Sequence, residues 1–596
     1  MCGLLSYYQT EPLSIQIFND IYNSLQLINH RGPDGEGIVL LNTQTGNYIN
    51  WQSNLKIDYS NYNMVLGHKR LAILDLSEAG RQPMIKDDLI IIFNGEIYNF
   101  IELKKELEIL GEVFCSNTDT EVILKAYKIW GSECLKKFNG MWSIILYDTK
   151  LKKMFVSRGR FGIKPLIYHT FKDGSWIIIS EEKQLFAFEK FDKKINFNAV
   201  KILLEHQFIG LDNSTFYQNV FKFKTAHYSL QSIDSFSFNK QEKYYEINTN
   251  NIHYNYKNKE KAVEAFKIYF NKAIEYTLIA DVPIGLGFSG GVDSSRIVYE
   301  CYTNFQKPET FSAVFPDSKQ DESYYINLVK NDLDLKSNFC YPEKEFTYKD
   351  FEKLTYHLDA PVPSSSYYAQ WCLSRLVKEK GIKVLLVGQG ADEVFAGYHH
   401  HFYRYLRSLL INLKILKFYK EISSFSEIKG RSKMKLFKIV LNELMLVLRV
   451  KLFKKRDWRS LWFFSSSLNQ FLKNELLIYQ LPFFLKSDDR IGMAFNFESR
   501  YPFLDHKLVT FGFECADDIK IQNGWQKWII RESNKLAPHE ISWRKDKIGY
   551  VMPENLLPEL DEDIIAYTKE KVGILSSNAF LNFSVGVWLK QQLENK

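Results

Sequence analysis

The sequence predicts a two-domain chain, an α+β unit of layered antiparallel sheets covered by helices followed by an α/β unit built on a parallel sheet with inserted helices. Three observations carry that reading. Over the first two hundred residues, strand-like stretches at 89–93, 142–147, 152–157, 166–169 and 175–180 stand among helical patterns near 101–110 and 120–130. The polar, Asn- and Lys-rich segment 248–261 then breaks the pattern as a linker. Beyond it, apolar runs at 282–288, 310–315 and 382–387 each end in a Gly-, Pro- or Asp-containing loop, the rhythm of a parallel sheet. The expected division is 1–210 for the first domain, 211–260 for closing strands and linker, and 261–596 for the second, with a helical insertion at 401–480.

Taken in order, the first element is Met1-Cys2-Gly3. Loss of one methionine would leave Cys2 a free α-amine, whose pKa of about 7.7–8.0 makes it a proton acceptor beside the sulfur. Alone, a second-position cysteine is more often an inert thiol. Downstream follow His30-Arg31-Gly32-Pro33-Asp34-Gly35, His68-Lys69-Arg70-Leu71 and Phe93-Asn94-Gly95-Glu96-Ile97-Tyr98-Asn99. Residues 89–93 read as a buried strand and Asn94-Gly95 as a tight turn, whose side-chain and backbone amides can both donate hydrogen bonds. Such a pair makes an oxyanion hole for an amide-hydrolysing cysteine. Without Cys2, the same dipeptide reads as a hairpin turn.

The second constellation is Phe288-Ser289-Gly290-Gly291-Val292-Asp293-Ser294-Ser295, between an apolar run and a helix expected from Ser295. Its glycines permit close backbone approach, and its amides, hydroxyls and helix N-terminus suit a pyrophosphate. The Lys-Ser/Thr ending of a Walker loop is absent, so the pattern points away from γ-phosphoryl transfer. Pro316-Asp317 and Gly388-Gln389-Gly390-Ala391-Asp392-Glu393 end the next two strands, so ATP is expected to touch all three loops. Asp293 and Asp392 are the expected holders of Mg²⁺, which takes a few carboxylates plus phosphate oxygens. Alone, Asp392-Glu393 is an acidic helix start.

A third cluster is Glu498-Ser499-Arg500-Tyr501-Pro502-Phe503-Leu504-Asp505, followed by Gly524-Trp525-Gln526-Lys527-Trp528-Ile529-Ile530-Arg531-Glu532. Lys527 and Arg531 are four apart and would share one helix face, able to aim two cations at a phosphate or an acyl-adenylate; an unmatched pair would be a solvated stripe. Between these clusters, residues 401–460 carry sixteen Lys/Arg against four acidic residues, so the rest of a chain of net charge +7 is net negative. Apolar residues recur at helical spacing through 406–453, which predicts a pair of amphipathic helices. Such a face could meet anionic lipid, nucleic acid or an acidic partner, or be a solvated hairpin near an anionic site.

Together these motifs resemble the glutamine-dependent asparagine synthetase family. In that family a class II glutamine amidotransferase domain, an αββα sandwich of the N-terminal nucleophile hydrolase type, precedes an ATP-pyrophosphatase-like synthetase domain. The resemblance implies that Cys2 attacks the amide of glutamine, that Asn94 and Gly95 hold the oxyanion, and that Arg70, Asn94, Glu96 and Asp119 bind the substrate's ends. It implies ATP and pyrophosphate contacts at Leu286, Ser289, Gly290, Gly291, Asp293, Ser294, Val314 and Gly388. Gln389, Asp392, Arg500, Lys527 and Arg531 would serve the acceptor and its adenylate, Lys527 stabilising the adenylation transition state. Met141 resembles a residue lining the ammonia passage. The default acceptor is aspartate, giving asparagine, AMP, pyrophosphate and glutamate. Three departures stand out: Gln389 in place of Glu, Val387 in place of Ser, and Gly159 in place of Asp. The first two motivate a second reading, a different carboxylate acceptor such as a sugar acid or peptide; a third is a non-catalytic binding protein on the same scaffold.

Whole-chain properties agree. At 596 residues the chain holds about four average domains or two large ones. Its 45% apolar content is globular, and no run of about 20 uncharged apolar residues predicts a membrane span. No basic region opens the chain, so no secretory leader is expected. The seven cysteines are scattered without a C-x-x-C pair, which predicts a reducing, cytoplasmic setting and no structural zinc. Small-molecule substrates are the expected partners, with no nucleic acid; surface association through the basic insertion and a homodimer are arrangements the sequence allows.

Overall fold

The computed structural model describes residues 2–206, 213–249, 255–316, 318–342, 347–453, 467–547 and 560–594, with backbone alone over 446–453. The first part contains a seven-stranded and a six-stranded antiparallel sheet. Strands β1 (Gly3–Tyr8) and β2 (Met64–Arg70) pair in the first sheet, and β3 (Leu89–Ile97), β4 (Gly140–Asp148) and β5 (Lys153–Arg158) are consecutive in the second.

The period-two alternation of each strand builds the layers. Leu5 and Tyr7 of β1 pack under the helix Ile15–Gln26, while Leu4 turns to the inner layer. In β3, Ile91 and Phe93 meet the helices Phe100–Ile109 and Asp119–Trp130, while Ile90 and Ile92 face inward. Helix, sheet, sheet and helix thus stack as the sequence predicts. Val220–Lys222 and His227–Ser232 add strands to the two sheets.

The second part is a five-stranded sheet, parallel throughout, from β6 (Ile284–Gly287), β7 (Glu309–Ala313), β8 (Ser337–Cys340), β9 (Val384–Leu386) and β10 (Glu498–Arg500). Its order is β8-β7-β6-β9-β10, which reverses between β6 and β9 and opens a crevice at their carboxyl ends. Helices α1 (Lys259–Thr277) and α2 (Val292–Asn304) cover one face, where Leu286, Val384 and Leu386 are buried. Helix α3 (Ser366–Glu379) covers the other, over Phe311, Leu385 and Phe497.

Several expectations shift. Asn94-Gly95 makes no turn: β3 continues to Ile97 because its pairing with β4 runs unbroken from Leu89 to Ile97, and that ladder outweighs local turn chemistry. Helix α2 begins at Val292 rather than Ser295. The polar stretch 248–261 runs into α1, capped by the Asn258 side chain, and residues 250–254 lie outside the described residues. The basic insertion holds more than a pair of helices: α4 (His399–Ile411), α5 (Ile415–Lys429), α6 (Lys433–Phe453) and α7 (Leu468–Leu477), with residues 454–466 outside the described ones. Helix α8 (Leu481–Ala494) then returns to the domain junction.

Candidate functional site

Period two brings the first site together. Cys2 continues the inward series of Leu4, Asn94 that of Ile90 and Ile92, and His68 that of Leu66, so three chemically distinct groups meet at one end of the inner layer. The Cys2 backbone N–H donates to Asn94 Oδ1 at 2.9 Å, and Arg31 Nε donates to the Cys2 carbonyl at 3.0 Å. Oδ1 is thereby committed, which leaves Asn94 Nδ2 as a buried donor with no partner. An unpaired buried donor costs about 1–3 kcal/mol, so its retention marks a place for an incoming acceptor. Gly95 sits at φ +154, and a Cβ there would lie 2.0 Å from the Met141 carbonyl. Only glycine lets β3 pass β4 this closely. His68 Nε2 donates to the Phe93 carbonyl at 3.1 Å, and burial pushes its pKa down to about 3, so it is neutral. Burial also raises the Cys2 thiol above its usual value.

The substrate-binding candidates surround this pocket. Asp119 Oδ2 accepts from the Ile97 N–H at 2.8 Å, and burial raises the acid to about 7. Glu96 is raised well above the carboxylate range by burial, against the pull of Arg500. Arg70 Nη1 donates to the Ser77 carbonyl at 2.8 Å, its guanidinium fixed by a loop rather than left to solvent.

From Glu96 a buried charged strip leads into the second domain. Arg500 Nη2 lies 3.4 Å from Glu96, Arg500 Nε donates to Glu498 at 2.8 Å, and Glu498 accepts from Lys164 at 2.9 Å. Met141, Tyr98 and Ile163 share one apolar cluster with Leu286 and Val384 of the parallel sheet. Strand β10 alternates: Glu498 and Arg500 face this strip, and Ser499 between them lines the cavity described next. A second junction is made by Arg31, whose Nη1 binds Glu181 and Asp489 at 2.8 Å each. Gly159 fits against Trp142, whose backbone nitrogen would lie 3.0 Å from any Cβ there.

A cavity of about 560 Å³ occupies the crevice. At one end Ser289 and Gly291 of the loop after β6, with Asp293 and Ser294 of the first turn of α2, face Asp392, and Lys527 Nζ bridges Asp293 and Asp392, the latter at 2.7 Å. Lys547 also binds Asp392. Burial opposes its charge, yet these two ammonium groups hold the Asp392 carboxyl far below the carboxylate range. Gly397 completes the cradle, since a Cβ there would meet Lys527 Cε at 2.0 Å. Lys527 itself sits at φ +54, an uncommon conformation for a long side chain, which turns it out of the following helix Trp528–Ser533 and into the cavity. Asp293 Oδ1 is buried without a partner. Two facing carboxylates with a spare oxygen are a donor set that fits Mg²⁺.

The other end reaches over the sheet face under α3, among Ser364, Ser366, Tyr367, Gln370, Asp488 and Phe484. Gln370 Nε2 binds Asp488, and burial raises that acid to about 7. Gln389 and Gly388 line the cavity between the two ends.

Most sequence-predicted residues converge, with three differences. Arg500 is fully buried in the strip toward Glu96 and donates to the carbonyls of Thr277 and Ile279, so it does not line the cavity. The alternation of β10 sends it to the opposite side from Ser499. Lys527 and Arg531 both line the cavity but share no helix face: Lys527 precedes the helix, and Arg531 is occupied by the carbonyls of Gln526, Ser542 and Arg544. Leu286 and Val314 are buried beneath the cavity, and Gly290 acts through its carbonyl, which accepts from Arg544. Sequence reasoning missed Lys547, Arg544 and Glu322. Arg544 binds Glu322 at 2.7 Å, and burial raises Glu322 to about 7. No local motif surrounds these three, and only the fold brings them to the loop.

Comparison with known proteins agrees with this construction. A model described as a glutamine amidotransferase domain matches residues 54–245, and one described as asparagine synthase matches 265–583. The chain is 34% identical over 454 residues to a putative glutamine-hydrolysing asparagine synthetase 2 of Methanocaldococcus jannaschii, covering 72% of this chain and 81% of that relative. It is 26% identical over 583 residues to the glutamine-hydrolysing asparagine synthetase 1 of Bacillus subtilis, covering 93% and 87%. It is also 25% identical over 425 residues to the amidase chry2 of Gibberella zeae, covering 67% and 59%. With over half its length matched by one model and an amidotransferase domain ahead of it, the chain belongs to the asparagine synthase family.

Proposed function

We propose that this chain is a glutamine-hydrolysing carbon–nitrogen ligase that couples ammonia release at Cys2 to ATP-dependent activation of a carboxylate in the distal cavity. With Met1 removed, the α-amine of Cys2 takes the thiol proton and the thiolate attacks the side-chain amide carbon of glutamine. Asn94 Nδ2 and the Gly95 N–H receive the oxyanion, ammonia leaves, and water hydrolyses the thioester to glutamate. In the cavity the acceptor carboxylate attacks the α-phosphorus of ATP, with pyrophosphate leaving against Lys527, Ser289 and Ser294. Ammonia then displaces AMP from the acyl carbon. Asp293 and Asp392 would hold Mg²⁺, which supplies charge neutralisation of the triphosphate. The domain boundaries proposed are those of the sequence reading, 1–210, 211–260 and 261–596.

The observation that carries this reading is that Arg500 of β10 meets Glu96 beside the Cys2 pocket while Ser499, its neighbour on the other face of the same strand, lines the distal cavity, so the two sets of reactive groups stand on either side of one buried strand. Exclusion of water protects both the adenylate and the unprotonated ammonia. Aspartate is the default acceptor. Incubation with glutamine, ATP and aspartate is expected to yield asparagine, AMP and glutamate in equal amounts; formation of ADP instead would refute the reading.

A second acceptor class is favoured by one observation. Lys429, Lys527, Arg531, Arg544 and Lys547 supply the cavity's cations, and Lys527, Arg531, Arg544 and Lys547 gather about Asp293, Asp392 and the Gly290 carbonyl. The end under α3 offers hydroxyls, amides and the high-pKa acid Asp488, with no cation among the described residues for aspartate's second carboxylate. That lining suits an acceptor whose remainder, beyond the reacting carboxylate, is uncharged and rich in hydroxyls. Glucuronate supporting faster AMP release than aspartate would decide for it.

A further inference from the structure

Helices α5 and α6 are joined by the short turn at residues 430–432 and held together by the Phe418–Phe437 ring contact at 6.2 Å and by Lys433 over the Tyr419 ring at 5.7 Å, forming a helical hairpin. The outer face of that hairpin is unlike the rest of the surface. Leu413 and Leu416 are 83% and 90% exposed, and Tyr419, Met434, Phe437 and Leu441 are exposed beside them. Met434, Phe437 and Leu441 recur at helical spacing along α6, and Leu416 and Tyr419 along α5, so each helix presents a stripe. Interleaved with these are Lys414, Lys420, Lys433, Lys435 and Lys438. Among the described residues their ammonium groups form no ion pair, whereas Lys417 beside them binds Asp518 at 3.1 Å.

Leu413 adds a separate argument. It occupies the turn between α4 and α5 at φ +56, where glycine or asparagine would fit with less strain. A leucine held there, almost wholly in water, contributes nothing to the core. Backbone preference and hydrophobic burial both disfavour it, which leaves the side chain's exposure as its use.

We propose that this face binds an anionic phospholipid surface, with Leu413, Leu416, Tyr419 and Phe437 entering the headgroup boundary and the five lysines meeting the phosphates. Unpaired lysines are what a negatively charged leaflet attracts, and their long stems can lie along apolar groups while the ammonium stays wet. Leu413, Leu416 and Phe437 offer no hydrogen bonds to base edges, Tyr419 carries the one polar tip among the four, and the lysines are point charges without the fork by which arginine grips phosphate. No described helix is long and apolar enough to cross a membrane, so the hairpin lies on the surface. Helix α5 spans about 20 Å at 1.5 Å per residue, and its far end carries Lys429 into the cavity, which sets the catalytic crevice close to the lipid.

The test is co-sedimentation of the full-length protein with vesicles of phosphatidylcholine alone or mixed equally with phosphatidylglycerol. Binding is expected to the mixed vesicles only, weakening about fivefold for each of Lys414→Gln, Lys420→Gln and Lys435→Gln. Leu413→Gly relieves the strained turn, so it is expected to leave melting unchanged or raised while reducing vesicle binding; Leu416→Ser is expected to reduce binding further. No sedimentation with the mixed vesicles would overturn the proposal. So would binding that ignores Leu413→Gly and Leu416→Ser, or retention by RNA in place of vesicles.

Discussion

The two reactive regions are built on opposite principles. Around Cys2, strands locked in a long register hold neutral donors: Asn94 with its free Nδ2, the Gly95 amide, and a His68 that stays uncharged. Around Asp293, loops and a left-handed Lys527 hold dense opposite charges, with Lys527 and Lys547 clasping Asp392. The difference follows from the chemistry each is suited to. Amide hydrolysis develops one negative charge at a fixed oxygen, which two rigid dipoles can meet. Activation by ATP brings several negative charges at once, which take several cations, side-chain ammonium groups and a metal among them, to neutralise. Strand pairing gives the rigidity, and loop ends at the switch of strand order give the room.

Variants should separate the two regions. Cys2→Ala is expected to lower glutamine-dependent product formation by about 10³-fold or more while sparing use of added ammonia. Loss of both activities would mean that the regions do not work independently. Lys527→Ala is expected to cut AMP formation by about 10²–10³ with glutaminase activity kept, because it removes the cation between Asp293 and Asp392. Asn94→Ala is expected to cost about as much in glutamine hydrolysis alone, read as kcat with KM little changed.

A smaller effect concerns pH. Burial raises Asp119 to about 7, and binding an ammonium requires its ionised form. The kcat/KM for glutamine is therefore expected to fall about tenfold per pH unit below that value, with ammonia-dependent synthesis following a different profile. The smallest is a stability effect at the neutral end of the cavity. Asp488 is raised to about 7, so the folded state binds a proton that the unfolded state has released above the usual carboxylate range. Stability contributed by this group is then lost as pH rises toward and through neutrality. Thermal melting should show Asp488→Asn reducing that decline.

Much of this was legible in the sequence. The antiparallel layers and the parallel sheet followed from strand period and loop chemistry, and the loop that lines the cavity from a strand running into Ser289-Gly290-Gly291. Asn94 and Gly95 were legible as donors but not as part of a continuing strand, because the turn tendency of Asn-Gly is local and the pairing that overrides it is not. Arg500 was misplaced for the same kind of reason: a motif gives position along the chain, and only the alternation of β10 decides which side chain enters the cavity. Glu322, Arg544 and Lys547 were invisible because no spacing links them, and tertiary packing alone brings them to Gly290 and Asp392.

The measurement that tests the coupling of the two regions most directly is isotope competition. Glutamine labelled with ¹⁵N at the side-chain amide would be supplied with excess unlabelled ammonium and the preferred acceptor. Passage through the buried strip predicts product that keeps nearly all of the label. Product diluted to the isotope ratio of the solution would contradict it.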